Sequence, residues 1–390
     1  MEGNKPANRF EGKGKLLFAL FALFLAGFSE VILRTVLSDY KQEYTAFSEK
    51  VHHDYIPNRT FVTRQWPSDI FEYEPVRNEI NQDGMRGPII GRKSKYRVLF
   101  VGDSFLQADE VPHERFFVGR LSQGNEKLEF ISHGMTSWSP TPIFSWIYHQ
   151  GIHYEPDEVN LFVHLNDFSR MKSYHWADEY YRSRAIYEGD VPVGYDLAEE
   201  EKPRIIYEKS LYAFLNESRL FNLSARFVKN LYREATNTRI AEEMTFKNDL
   251  MEFERLSKHA STWPVDLKNS VDSTINVVSQ LQDYLQENGV KKFNVFLVPD
   301  GLEWGDEIAI SQRKKFGLVP GEKIVKSGLR EYLAGSLMTK GINYIELKGI
   351  FDDFKLSEPE KTLFFPLDNH WNQNGHELLA NHFASFYENR

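Results

Sequence analysis

Cysteine is absent from the 390 residues, which excludes a disulfide framework, a zinc–thiolate centre and a thiol nucleophile. An excess of positive charge is also missing. Lys and Arg number 47 against 56 Asp and Glu, a formal net charge of −9, and nothing resembles the basic stripes with which nucleic-acid binders meet phosphate. No internal repeat or low-complexity tract is evident, which excludes a repeat array. What remains is ordinary for a folded protein: 41% hydrophobic and 26% charged residues. The length suits one large domain with an insertion, or two domains.

The one long apolar run lies at the N-terminus. Lys5, Arg9, Lys13 and Lys15 precede an uninterrupted apolar or small stretch from Leu16 to Phe28, continued by Val31 to Leu37. As a helix, Leu16 to Leu37 at about 1.5 Å per residue would just span a hydrocarbon core of about 30 Å. Glu30 and Arg34 interrupt it at a spacing that lets them pair. Ala26-Gly27-Phe28 is a poor cleavage site, so an uncleaved anchor is favoured over a removed signal peptide or a plain core helix. The basic flank predicts a cytoplasmic tail (1–15), a transmembrane anchor (16–37) and the rest of the chain outside the cytoplasm.

Residues 38–80 are polar and aromatic without clear period, and are expected to form a stalk or wrapping segment. Asn81 to Pro88 is a turn cluster. From there strand and helix signals alternate. Strands are predicted at Arg97–Val101, Leu128–Ser132, Glu158–Leu165, Phe293–Val298 and Tyr344–Leu347. Helices are predicted at Pro140–Gln150, Glu322–Thr339 and Gly375–Tyr387. Leu267, Val271, Ile275, Val278, Leu281 and Leu285 mark another, closed by Asn288-Gly289. The alternation breaks from Phe168 to Thr262, read as a mostly helical insertion. Strands alternating with helices predict a parallel sheet covered on both faces, with ligands beyond the strands' carboxyl ends.

The first of these strands stops at Gly102-Asp103-Ser104. A serine between a strand end and a helix start meets unsatisfied backbone N–H groups and a positive helix dipole, which stabilise an oxyanion or a deprotonating hydroxyl. Taken alone, a serine there is more simply a helix cap. Far downstream, Asp368-Asn369-His370 could hold an imidazole against a carboxylate, ready to take a proton from a serine. A chance Asp-x-His is weak by itself. Together the two stretches point to serine-based acyl chemistry.

On these residues the chain, from about Asn81 to the C-terminus without the insertion, resembles the SGNH (GDSL-type) hydrolase superfamily. The likeness is greatest to its membrane-anchored members of bacterial envelope and surface-glycan pathways. Gly102-Asp103-Ser104-Phe105 matches the first family block. Ser132-His133-Gly134 falls where the second usually reads Asn-x-Gly. His164-Leu165-Asn166-Asp167 falls where the third usually reads Gly-x-Asn-Asp. Asp368-x-His370, with Trp371-Asn372 and Gly375-His376, matches the fifth. Asp83-Gly84-Met85-Arg86-Gly87 is similar to a turn often found before the first strand in the anchored members.

The resemblance implies a three-layer, flavodoxin-like parallel sheet with a helical insertion. It implies Ser104 as nucleophile, His370 as general base and Asp368 as the residue that orients it. The oxyanion hole would comprise the Ser104 and Gly134 N–H groups and the Asn166 amide. The implied activity is ester cleavage or O-acyl transfer on an acylated carbohydrate or other envelope component, with a small ester or a membrane protein as possible partner. No cofactor or metal is expected; His370, His376 and His382 step by six, which is not a ligand spacing on one helical face. The altered second and third blocks keep open a non-catalytic, glycan-binding or scaffolding role. The aromatic residues Tyr174, Trp176, Tyr180, Tyr181 and Tyr187 could stack on sugar rings or pack the insertion.

Overall fold

The computed structural model describes residues 9–36, 44–63, 75–164, 166–169, 183–197, 218, 220–221, 224, 255–299, 301–303, 327–365 and 370–388. The chain divides into two compact units. One comprises Met1–Glu43 and Arg204–Arg239, the other Tyr44–Pro203 and Ile240–Arg390.

In the first unit, helix α1 spans Arg9–Val36. Leu17, Phe18, Phe21, Phe24, Phe28 and Val31 are exposed on it. Glu30 accepts hydrogen bonds from Ser218 Oγ and from the Leu220 N–H, both at 2.9 Å. The expected transmembrane span 16–37 is not supported: among the described residues no helix is long and apolar enough to cross a membrane. The physical reason is length. The uninterrupted run Leu16 to Phe28 rises only about 20 Å before Glu30 interrupts it. Leu37 itself lies outside the described residues.

The second unit opens with two antiparallel hairpins. β1 (Thr45–Ser48) pairs with β2 (His52–Tyr55), and β3 (Thr60–Thr63) with β4 (Val76–Glu79). Val51, Tyr55, Phe61 and Ile80 are buried in the main core. The segment expected to be aperiodic therefore wraps as short strands. Each is four residues long, too short for alternation to show in sequence.

Five strands then build one parallel sheet: β5 (Tyr96–Gly102), β6 (Leu128–Gly134), β7 (Glu158–Val163), β10 (Lys292–Leu297) and β11 (Asn343–Glu346). Their order is β11-β10-β7-β5-β6 and every pairing is parallel. Counting only these five, the order is 2-1-3-4-5, the flavodoxin-like arrangement, in which the topology reverses between the first and third strands. Between them run α2 (Ser104–Gln107), α3 (Phe117–Ser122), α4 (Pro140–His149) and α5 (Asn166–Ser169). Later come α6 (Val265–Glu287), α7 (Ser327–Thr339), α8 (Lys348–Ser357) and α9 (Gln373–Glu388).

The two faces follow the period-2 alternation of the strands. Leu99, Val101, Leu161, Val163, Val295 and Leu297 pack into one core, with Ile143, Phe144 and Ile147 of α4, Val271 and Ile275 of α6, and Leu333 of α7. Val98, Phe100, Phe162 and Phe296 point the other way, against Phe117 of α3, Phe351 of α8 and Leu379 and Phe383 of α9. Such a ring as Phe100, fully buried, contributes about 3–5 kcal/mol by comparison with truncation to alanine.

Most of the insertion expected to be helical lies outside the described residues, and the part that is described includes one pair of strands. β8 (Ser183–Glu188) and β9 (Val191–Leu197) form an antiparallel hairpin within 168–262, separate from the main sheet. Its exposed Ile186 and Tyr187 and buried Tyr195 alternate too irregularly, across a bulge at Ile186/Tyr187, to read as strands. Of the stretch expected to be helical, Glu208 to Arg233, only Ser218, Leu220, Phe221 and Ser224 are described. Tyr174, Trp176, Tyr180 and Tyr181 lie outside the described residues.

Candidate active site

Where β5 ends, Gly102 and Gly134 are register partners. The chain turns directly into α2, and the residue that caps this helix is Asp103, not Ser104: its Oδ1 accepts from the Phe105 N–H at 3.0 Å. Ser104 is thus the first residue of the helix, its hydroxyl not spent on the cap. The Asp103 carboxyl is fully buried. Burial raises its pKa, opposed by His164, by the Phe105 N–H and by His370.

The helix is one turn long, so its position depends on what surrounds it. Gly134 approaches from β6 so closely that a Cβ there would lie 2.5 Å from Leu106 Cβ, 2.6 Å from the Asp103 carbonyl oxygen and 2.6 Å from the Gln107 nitrogen. At its C-terminal end Ala108 adopts φ 45°. The orphan carbonyls there are taken by Arg86. Its guanidinium donates to Gln107 O and Ala108 O at 2.6 Å and to Val111 O at 2.7 Å. Asp109, next along, is bound by Tyr55 OH at 2.6 Å and by Gln107 Nε2 at 2.9 Å. Asn78 donates to the Asp109 carbonyl at 2.9 Å.

His370 reaches this helix from the far end of the chain. Its Nε2 lies 2.7 Å from Ser104 Oγ, across 266 residues of sequence. Its backbone is fixed by the two residues on either side of a bridge: the Phe365 N–H donates to His370 O at 3.0 Å, and Phe364 pairs with Trp371. Trp371 is buried and its indole N–H donates to Pro299 O at 3.3 Å. Asn372 caps α9, its side-chain oxygen accepting from the Asn374 N–H at 2.9 Å and the Gly375 N–H at 3.2 Å. The imidazole packs edge-on to Phe105, ring centroids 5.0 Å apart. On its other nitrogen, Nδ1 lies 3.9 Å from Glu110 Oε1.

Of the residues singled out in sequence, Ser104 and His370 therefore meet, and Gly134 closes on the serine's helix. Asn166 begins α5 directly after β7, at the same carboxyl rim. Asp368 lies outside the described residues. His164, where the family block has glycine, is buried beside Phe105 at 5.0 Å between ring centroids. The Asp167 carboxylate accepts from its backbone N–H at 2.7 Å. His133 is buried, stacked on Trp146 with centroids 4.4 Å apart, its Nε2 3.1 Å from Asp54 Oδ1. His376 is enclosed by Phe116, Phe117 and Trp371, and burial and Arg86 lower its pKa to about 3. It is a neutral packing residue at working pH.

Sequence reading missed Glu110 and the clamp function of Arg86. Glu110 stands in an ordinary acidic doublet with Asp109, and no spacing rule separates the buried carboxylate from the one turned to His370. A cavity of about 240 Å³ is lined by Arg86, His113 and Ser132 but by neither Ser104 nor His370.

No family model matches the chain, and no curated protein matches it in sequence. Similar solved structures include an acetyl xylan esterase at 14% identity, TM-score 0.38, covering 74% of this chain and 98% of that one. Another is a member of the lipolytic G-D-S-L family from Veillonella parvula at 10% identity, TM-score 0.34, covering 73% and 94%. A lipase/acylhydrolase from Enterococcus faecalis is similar at 12% identity, TM-score 0.36, covering 76% and 97%. The chain's own residues give a 2-1-3-4-5, flavodoxin-like parallel sheet with a Gly102-Asp103-Ser104 turn at the end of the sheet's first strand.

Proposed function

We propose that the protein is an SGNH-type serine esterase or O-acyltransferase working through an acyl-enzyme on Ser104. The observation that carries this is the 2.7 Å contact between His370 Nε2 and Ser104 Oγ, within reach for direct proton transfer. Ser104 Oγ attacks the ester carbonyl as its proton passes to His370 Nε2. The carbonyl oxygen becomes an oxyanion beside the head of α2, where backbone N–H groups and the dipole favour negative charge. The Gly134 N–H and the Asn166 amide are the proposed further donors, and Asp368 the proposed orienting carboxylate. Collapse breaks the bond to the alkoxy oxygen, which leaves with the proton from Nε2. The acyl group stays on Ser104 until water or a sugar hydroxyl, deprotonated by His370, takes it.

The substrate proposed is an acylated carbohydrate or another esterified envelope component, by resemblance to the anchored members of the superfamily. The exposed apolar residues of α1 support attachment to a lipid surface. The test is labelling with a serine-reactive fluorophosphonate. Wild type should label and Ser104→Ala should not, with both folded by circular dichroism. Equal labelling of the two, or none of either, refutes the reading.

A further inference from the structure

The segment that follows the nucleophile helix is held far more tightly than a surface loop needs to be. Three of its carbonyls are taken by Arg86. The Ala108 N–H donates to Ser104 O at 3.0 Å and the Val111 N–H to Ala108 O at 3.1 Å. Asp109 is pulled inward by Tyr55 and Gln107. Glu110, the next residue, faces His370, its Oε1 3.9 Å from Nδ1. The serine and this carboxylate thus belong to one braced unit, and they address the two nitrogens of the same imidazole.

We infer that Glu110 is a positioning residue for His370, a carboxylate on the Nδ1 side that steadies the ring on Ser104 and stabilises it once protonated. The inference rests on the reading of Ser104 and His370 as nucleophile and base. The chemistry requires such a group at one moment. When the Ser104 proton arrives at Nε2 the ring becomes a cation, and a carboxylate near Nδ1 lowers the energy of that state without touching the substrate. At 3.9 Å the contact is an ion-pair separation, longer than a hydrogen bond. Such contacts tighten when substrate fills a site. Glu110 keeps a fifth of its side chain exposed, so water screens the pair. An effect of about ten-fold is expected, against about 10⁴-fold for a fully buried orienting carboxylate. Among the described residues, titratable groups that also act on His370 include Asp103, from the head of α2, and His376, from α9. Asp368, two residues away in sequence, is the proposed orienter of the same ring.

The experiment compares full-length wild type, Glu110→Gln, Glu110→Asp and Ser104→Ala on p-nitrophenyl acetate between pH 5 and pH 9, following kcat and KM separately. Glu110→Gln should lower kcat about ten-fold with KM within about two-fold, and should move the acid limb of kcat/KM to lower pH, since the protonated imidazole has lost a stabilising charge. Glu110→Asp should restore most of kcat. Fluorophosphonate should still label Ser104 in Glu110→Gln. If the Glu110→Gln profile superimposes on wild type, or kcat falls with a lower melting temperature and an unmoved acid limb, the inference fails while labelling keeps the serine reading intact. If Ser104→Ala turns over as fast as wild type, the underlying reading fails instead.

Discussion

Gly134→Ala is a single-methyl perturbation whose consequence can be worked out in ångströms. Gly134 is not among the residues with positive φ, so alanine meets no backbone penalty there. Only contact matters. The added Cβ would stand 2.5 Å from Leu106 Cβ and 2.6 Å from two backbone atoms of the Asp103–Gln107 turn. Relieving the first contact to an ordinary separation of about 3.4 Å requires β6 and α2 to part by about 0.9 Å. Backbone cannot swing away as a long side chain can, so the one-turn helix must move. A displacement of that size, carried to Ser104, stretches its 2.7 Å contact with His370 to roughly 3.6 Å, outside hydrogen-bond range. Misplacement by about 1 Å costs on the order of 10²-fold in turnover, and the overpacking destabilises by about 1–3 kcal/mol. The assay is p-nitrophenyl acetate turnover beside urea unfolding. Gly335→Ala is the control, on an exposed face of α7 with nothing within 4 Å of the new methyl. It should leave kcat alone and add up to about 1 kcal/mol of stability. If Gly134→Ala keeps kcat within three-fold of wild type, the claim that Gly134 seats the nucleophile helix is wrong.

Arg86→Gln removes three charge-assisted hydrogen bonds to Gln107, Ala108 and Val111 carbonyls. It should cost about 3 kcal/mol by urea unfolding and lower kcat as well; a loss under about 1 kcal/mol would show that water replaces the clamp. His376 has a folded pKa of about 3 against about 6.5 unfolded. Between these values only the unfolded state binds the proton, so this site removes up to about 1.4 kcal/mol of stability per pH unit as pH falls below 6.5. His376→Phe should flatten that slope in urea midpoints between pH 6.5 and pH 4, and an unchanged slope would count against a neutral buried imidazole. Asn294→Ala should destabilise by about 2–4 kcal/mol in the same assay, because it strips partners from Asn160, Glu158 and Asn343; a neutral result would mean those groups rehydrate.

Reading the sequence located the sheet because its strands carry their own signature. Arg97–Val101, Glu158–Val163 and Asn294–Val298 are runs in which both faces are buried, as a parallel strand between helix layers must be. The pairing of Ser104 with His370 was legible only through the motifs, since nothing local to either stretch encodes a contact across 266 residues. The N-terminal hairpins were not legible: His52, His53 and Asp54 look like surface residues, yet both histidines are fully buried. They escape because their polar atoms are satisfied by tertiary partners, His53 Nε2 by Thr136 O at 2.8 Å among them. Glu110 was hidden for a related reason. Its proposed role depends on Arg86 clamping the carbonyls around it and on Tyr55 binding Asp109, and these lie 24 and 55 residues upstream of it.

The precision of the carboxyl rim also depends on what lies at the opposite ends of the strands. There Asn343 Nδ2 donates to Asn294 Oδ1 at 2.6 Å, and Asn294 Nδ2 to Asn160 Oδ1 at 2.7 Å and to Glu158 Oε1 at 3.1 Å. Tyr387 of α9 closes the set, receiving a bond from Asn160 and donating to Glu158, both at 2.9 Å. Asn294 stands in register with Asn160 on one side and Asn343 on the other. A slip of one residue would turn these amides to the other face and leave them buried without partners, at about 1–3 kcal/mol each. An apolar sheet could tolerate neighbouring registers more cheaply. The polar ladder therefore fixes how far each strand advances, and through α9 it is tied to the bridge that carries His370. A shift of one residue is about 3.3 Å along a strand, more than the whole 2.7 Å contact on which the proposed chemistry depends.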